Sequence, residues 1–210
     1  TQAAEEASND FDIITRLIVS INRHEEVSLA EKIIQLAVDR KERGIVAVDL
    51  AGNEADFPAD PFHSIFQQAK ASGMGICIHA GEWNGPENVR QAIELFEADR
   101  IGHGVRVMED ENVVALARER GTTFEACITS NYQSGVTPAL SAHPFMRMLM
   151  AGLNVTINTD DPSISQITLS NEYRVVCEDL GLPRNVLIER TLAAARVAYL
   201  SPVRQAALLY

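Results

Sequence analysis

Titratable side chains gather directly behind apolar, β-branched runs in this sequence. Ile45–Leu50 runs into Ala51-Gly52-Asn53-Glu54, and Gly75–Ile78 into His79-Ala80-Gly81-Glu82. Arg100–Gly102 runs into His103-Gly104, and Asn154–Thr159 into Asp160-Asp161-Pro162. In a β/α barrel the C-terminal strand ends share one mouth, where active sites are built. His79 and Asp160 offer an imidazole nitrogen and a carboxylate oxygen, the donors that zinc takes in catalytic sites. Glu82 stands three residues beyond His79, which on a continuous strand would put it on the opposite face. Ala80-Gly81 can turn the chain back, so that Glu82 serves as a proton donor beside the metal. The adjacent Asp160 and Asp161 suggest divided labour, one on the metal and the other on a substrate nitrogen. Singly, each motif also has an ordinary structural reading. His79 can be a satisfied strand-end histidine, Glu82 a first-turn helix acid, Gly102-His103-Gly104 a tight turn and Asp160-Asp161-Pro162 a capped turn. Their joint placement at successive strand ends favours a site.

The elements that must position these groups follow one repeated unit. Strands are predicted at Ile13–Ser20, Ile45–Leu50, Met74–His79, Arg100–His103, Thr123–Thr129 and Asn154–Thr159. Between them, apolar residues at three- and four-residue steps predict helices over Leu29–Glu42, Phe62–Ala71, Pro86–Glu97, Glu111–Glu119 and Pro144–Ala151. Ser28 is placed to cap the first helix, with Glu31 completing a capping box and Gly44 stopping it. Pro86 suits the first turn of the third. Helical segments over Ser165–Leu180, Pro183–Tyr199 and Pro202–Tyr210 follow the sixth strand. Strands alternating with helices imply βα units and a parallel sheet. The strand runs read as nearly continuous apolar stretches, as expected where both faces are covered. Residues 1–210 form one domain, or part of one.

Composition bounds the function. The 210 residues carry 18 basic and 29 acidic side chains, a net charge of −11, and 46% are hydrophobic. That apolar content excludes a disordered chain. The acidic balance argues against a nucleic-acid partner, since binding to phosphates needs Lys and Arg. No apolar run approaches the ~20 residues that cross a bilayer, and the acidic start TQAAEEASNDFD is no signal peptide, so neither a membrane partner nor export is expected. Cys77, Cys127 and Cys177 include no C-x-x-C pair and read as buried, reduced and inert. A soluble, cytoplasmic protein is the expectation.

VDLAGNE, HAGE, RIGHGV, TSNYQSG and NTDDP occur in the order, and roughly at the spacing, of the adenosine deaminase family, which the chain resembles from about Ile13 onward. The resemblance implies a zinc-dependent (β/α)8 TIM barrel of the amidohydrolase type that hydrolyses a 6-aminopurine. Under it, His79 and Asp160 are zinc ligands, and Glu82 protonates purine N1 as water attacks C6. His103 orients and electrostatically supports the attacking hydroxide. Asp161 makes a hydrogen bond at N7, and Gly52 donates its backbone N–H to N3. Zinc suits this work because it lowers the pKa of water towards ~7. Zinc deaminases with the H-x-E and P-C-x-x-C signature share the reaction only, since that signature is absent here. Asn53 stands where the family pattern commonly has Asp, leaving Asp49 and Glu54 for pocket structure. His24, His63 and His143 match no family site and are assigned surface or capping roles.

One family feature is lacking: no H-x-H, the source of two further zinc ligands, occurs in the sequence. Six strand candidates stand against the eight of a closed barrel, and the first resembles the family's third. The chain is therefore expected to be the C-terminal portion of such a barrel, about six of eight βα units plus C-terminal helices, with a missing N-terminal segment completing the site. A catalytic zinc usually takes three protein ligands or more. With two, this chain alone is expected to bind zinc weakly and to be weakly active or inactive. The complete enzyme is expected to convert adenosine or deoxyadenosine to inosine-type product and ammonia. The alternatives are another 6-aminopurine (adenine, a methylated adenine nucleotide or 6-amino-6-deoxyfutalosine) and a non-catalytic barrel remnant acting as a binding module.

Overall fold

The computed structural model describes residues 2–11 and 13–209. Among them, six strands form one wholly parallel sheet in chain order: β1 (Leu17–Asn22), β2 (Ile45–Ala51), β3 (Gly75–Ala80), β4 (Arg100–His103), β5 (Thr123–Ala126) and β6 (Asn154–Ile157). The helices are α1 (Gln2–Phe11), α2 (Val27–Val38), α3 (His63–Ala71), α4 (Pro86–Glu94), α5 (Glu111–Arg120), α6 (Ile128–Gln133), α7 (Phe145–Met150), α8 (Pro162–Ser165), α9 (Leu169–Glu178), α10 (Arg184–Val197) and α11 (Pro202–Ala207). Pro86 opens α4 as its fixed φ and missing N–H favour.

Parallel register sorts the strand residues into two unlike faces. Ile78, Ile101, Phe124 and Val155 stand side by side, with Val48, Leu50 and Ile76 on the same face. All are essentially buried, in one apolar core with Ile34 of α2, Phe66 of α3, Val89 of α4 and Val113 of α5. Each large side chain buried this way contributes about 1.5–3 kcal/mol. The other face is polar: Ser20, Asp49, Cys77, Arg100, Thr123 and Asn154 align across the sheet, and His79, Gly102, Glu125 and Thr156 form the next row. The runs expected to be apolar on both sides therefore alternate. One face packs on helices, and the other carries the hydrogen-bonding groups.

Several boundaries differ from the sequence expectation. Strand β1 starts at Leu17 because pairing begins there, opposite Ile45; Ile13 and Ile14 lie outside it and are exposed. Ser28 falls inside α2 rather than at its cap, which is Glu26 and makes no side-chain bond, so the Ser28/Glu31 box does not form. Gly44, at φ 90°, ends a separate 3-10 turn over Lys41–Arg43. The run Thr123–Thr129 divides at Cys127, and buried Ile128 belongs to α6; an apolar run alone does not distinguish a strand from a buried helix. The segment Ser165–Leu180 is not one helix: α8 ends at Ser165, Gln166 breaks the chain (φ 55°), and α9 starts behind a capping box between Thr168 and Asn171. Helix α1 was not anticipated, and it buries no residue. Tyr210, the expected end of the last helix, lies outside the described residues. Among the described residues no helix is long and apolar enough to cross a membrane.

Candidate active site

The polar face delivers its groups at the C-terminal strand ends. His79 comes from β3, and its Nδ1 lies 3.0 Å from Asp49 Oδ1 of β2. The second Asp49 oxygen accepts the Ser20 hydroxyl at 2.9 Å. A carboxylate on Nδ1 keeps the proton there and leaves Nε2 as a basic donor, the arrangement that orients metal-ligating histidines. Burial pulls the His79 pKa down, but the Asp49 charge and hydrogen bond outweigh it and carry it up to about 9. Gly102 is the register partner of His79, and a β-carbon there would stand 3.0 Å from the imidazole ring. The glycine is what lets the ring lie against β4.

Beyond β3 the chain wraps around Glu54. This carboxylate is buried and accepts the backbone N–H groups of Gly81 (2.9 Å), Glu82 (2.6 Å), Trp83 (2.7 Å) and Asn84 (3.1 Å). It also accepts Asn88 Nδ2 at 2.9 Å. The turn expected at Ala80-Gly81 is thus built on one buried anion. Arg23 is buried beside it and donates to the carbonyls of His79 and Phe57, tying the end of β1 to that of β3. Burial lowers the Arg23 pKa, while the Glu54 and Asp49 carboxylates act to raise it.

Wrapping returns the Glu82 carboxyl to the site. Its Oε2 lies 3.5 Å from His103 Nε2, and its Oε1 accepts Asn131 Nδ2 at 3.3 Å. Burial raises its pKa; the His79 charge opposes this and the Asp160 and Glu54 carboxylates add to it, bringing it to about 7. His103 closes β4 with φ 60°, a left-handed conformation that is uncommon for a non-glycine residue, and its ring stacks edge-on against His79 at 5.1 Å. Burial, then the His79 charge, push the His103 pKa down to about 4, so its imidazole is neutral. A buried acid poised near neutrality beside a neutral imidazole is an acid–base arrangement.

Asp160 follows β6, also in a left-handed conformation (φ 57°), with Oδ2 accepting Ser130 Oγ at 2.6 Å. Such strained residues cluster at functional sites. Asp161 occupies the cap position of α8 but makes no capping hydrogen bond, so its exposed carboxylate is free for another partner. Gly52 has φ 97°, a left-handed backbone that strains any other residue, and it lies against the side-chain oxygen of Asn22. His103 contacts both His79 and Glu82, and the Asp160 charge acts on all three. Gly52 and Asp161 lie on flanking loops at the same end of the sheet, without hydrogen bonds to those four.

Four contributors escaped the sequence reading. Ser130 and Asn131 of α6 serve Asp160, Glu82 and His103, and Arg23 ties the strands. Their one available signal was polar residues directly behind a strand, as in TSNYQSG. The fourth, His143, is buried rather than on the surface; its Nδ1 accepts the Phe145 N–H at 3.1 Å, which is a capping bond for α7. His24 is exposed, and His63 packs edge-on against Phe96 at 5.6 Å. Cys77 and Cys127 are buried free thiols and Cys177 is half-buried.

The family profile described as adenosine deaminase matches residues 1–210. The chain belongs to the adenosine deaminase family. It is 36% identical over 206 residues to the adenosine deaminase of Klebsiella pneumoniae subsp. pneumoniae, covering 98% of this chain and 61% of that protein. It is 40% identical over 175 residues to that of Pectobacterium atrosepticum, covering 83% and 52%. The chain thus spans about three fifths of the length of the curated relatives it matches. An adenine deaminase from Arthrobacter aurescens superposes with a TM-score of 0.92 at 26% identity, over 99% of this chain and 63% of that one. The Arabidopsis N6-mAMP deaminase does so at 0.86 and 26%, over 93% and 58%. An amidohydrolase from Burkhoderia ambifaria, solved with bound Zn, does so at 0.90 and 27%, over 97% and 57%. The six in-order βα units are accordingly part of a TIM barrel, as adenosine deaminase family motifs in this order implied.

Zinc, which the family implies, can be tested against the donors present. His79 Nε2 and the Asp160 carboxylate suit it in kind. Among the described residues, no group of three or more His, Cys, Asp or Glu side chains could hold a metal ion. The fit is right in chemistry and short in number.

Proposed function

We propose that the protein to which this chain belongs hydrolytically deaminates adenosine or deoxyadenosine, giving inosine or deoxyinosine and ammonia. The observation that carries this reading is the Glu82 carboxyl, raised to about 7 by burial and set 3.5 Å from neutral His103. Zinc, when bound, makes water nucleophilic near neutral pH. His79 and Asp160 would hold it, with further ligands from outside these 210 residues. Glu82 gives its proton to purine N1 as oxygen adds to C6. His103 orients that oxygen by a hydrogen bond. Asp161 engages N7 and the Gly52 N–H engages N3, which fixes the ring between the two loops. The proton of the hydroxyl added at C6 passes to the exocyclic nitrogen, the C6–N bond breaks to release ammonia and leave a C6 carbonyl, and the proton that water lost before its attack restores Glu82. Ser130 steadies Asp160, and Asp49 steadies His79.

A second reading keeps these roles and changes the substrate to adenine or N6-methyl-AMP, favoured by the similarity to the Arthrobacter and Arabidopsis enzymes. The test loads the full-length protein with zinc and follows the ultraviolet absorbance of adenosine, adenine and N6-methyl-AMP in turn. The highest kcat/KM is expected for adenosine. Preference for either of the others moves the assignment to the second reading, and no turnover of any 6-aminopurine defeats the enzyme reading.

Asp49→Ala leaves His79 in place without its orienting carboxylate, and zinc affinity falls about 10- to 100-fold. Competition against a chromophoric chelator measures it. Unchanged affinity would mean that His79 is not a ligand or is oriented by something else.

A further inference from the structure

We infer that His143 is a positioning residue for His103, acting through Asn131 to keep the His103 proton on Nε2, where it faces the reacting atoms. The catalytic consequence rests on the deaminase reading above; the geometry does not.

The chain of hydrogen bonds has a fixed starting point. A backbone N–H only donates, and that of Phe145 donates to His143 Nδ1 at 3.1 Å. A neutral imidazole has one donor and one acceptor nitrogen, so the His143 proton is on Nε2. That nitrogen lies 3.1 Å from Asn131 Oδ1, which accepts it. The amide orientation of Asn131 is then set: its NH2 group points the other way and donates to His103 Nδ1 at 3.1 Å and to Glu82 Oε1 at 3.3 Å. An amide nitrogen cannot accept, so His103 Nδ1 is the acceptor and the His103 proton sits on Nε2. That nitrogen faces Glu82 Oε2 at 3.5 Å.

Burial makes the direction stick. Asn131 is 0% exposed, His103 3% and His143 5%, so water cannot replace a lost partner. Turning the Asn131 amide over would set its NH2 against the His143 N–H, two buried donors facing each other with no acceptor between them. Burial also lowers the His143 pKa to about 4, so His143 stays neutral. The relay crosses the loop between α6 and α7, whose backbone is pinned where the Thr137 N–H donates to the Asn131 carbonyl at 2.9 Å.

Two-bond 1H–15N correlation spectra of the full-length protein labelled at histidine nitrogen give the tautomers directly, with His103→Gln used to assign the signal. In the wild type, His103 and His143 are both expected to show a protonated Nε2 and a bare Nδ1. His143→Leu removes the directing donor, and His103 is expected to shift to tautomer-averaged nitrogen signals. Turnover falls about tenfold in kcat, the worth of one buried hydrogen bond, with KM within twofold. His143→Gln, whose amide can donate to Asn131, restores both the His103 signals and kcat. A protonated Nδ1 on wild-type His103 overturns the proposal, as does a folded His143→Leu protein with the wild-type His103 pattern, or a folded His143→Gln protein that fails to restore it. Should both variants fail to fold, the wild-type pattern alone decides. A relay seen in a protein inactive on every 6-aminopurine would stand while the deaminase reading fell.

Discussion

Glu82→Gln lowers kcat about 10³-fold and leaves zinc content unchanged, because it removes a proton donor and no ligand. Glutamine has the same shape and can still accept the Asn131 amide hydrogen bond, so the site should keep its form. Steady-state turnover and metal analysis on the same full-length protein check it; zinc lost in step with activity would make Glu82 a structural group. The same variant reports why the acid is poised. In the fold the Glu82 pKa rises from 4.5 to about 7, burial being the main cause, which corresponds to about 3 kcal/mol between its two protonation states. The folded form binds the proton more tightly than the unfolded chain. That contribution is fully present below pH 4.5, declines through the window up to about 7, and is lost above it. Glutamine is neutral throughout. Metal-free Glu82→Gln should therefore gain stability relative to metal-free wild type as pH rises from 5 to 8. Thermal melts of the pair measure it, and a difference that stays flat across this range would remove burial as the cause.

The parts of this molecule that were legible in the sequence are those where local patterning and function agree. Ile45–Leu50, Gly75–Ile78 and Asn154–Ile157 declare strands by their β-branched apolar side chains, and the acids and histidines behind them mark the end where a site collects. His79 and Glu82 were placed together because a glycine separates them. What was not legible depends on partners distant in the chain. Ser28 has the right chemistry for a cap, yet α2 begins before it. Cys127-Ile128 continues an apolar run while the backbone has already turned into α6. The polar face that carries Ser20, Asp49, Arg100 and Glu125 appears only when six strands are set in register, since each strand contributes one or two polar residues to it. His143 was assigned a surface or capping role because its partner Asn131 serves His103, which lies forty residues earlier in the chain. Asp161 was the opposite case: a cap-like context in the sequence, and a carboxylate that makes no capping bond in the fold.

Glu54→Gln is expected to unmake the turn that carries Glu82, although the substitution changes one atom. Glu54 is 2% exposed, and both of its oxygens are committed. One accepts Glu82, Trp83 and Asn84 N–H groups, and the other accepts Gly81 N–H and Asn88 Nδ2. An amide has one accepting oxygen. Whichever way it is oriented, its NH2 meets at least two donors that then have no partner. Arg23, whose cation faces this carboxylate, loses a counter-charge in the same step. Stranding buried donors while removing one of the two carboxylates that act on a buried cation costs about 3–5 kcal/mol. For a domain of this size that lowers Tm by about 10 °C. Activity should fall further than stability alone explains. The Glu82 carboxyl reaches its place only through this turn, and a displacement near 1 Å at a reacting group costs about 10²-fold in rate. The measurement is kcat well below the variant's own Tm, beside a denaturation curve on the same sample. Full kcat in a destabilised protein would show that the turn holds its shape without Glu54. A loss of kcat with intact zinc affinity would show that the buried anion works by placing the acid rather than the metal, since His79 is held independently through Asp49.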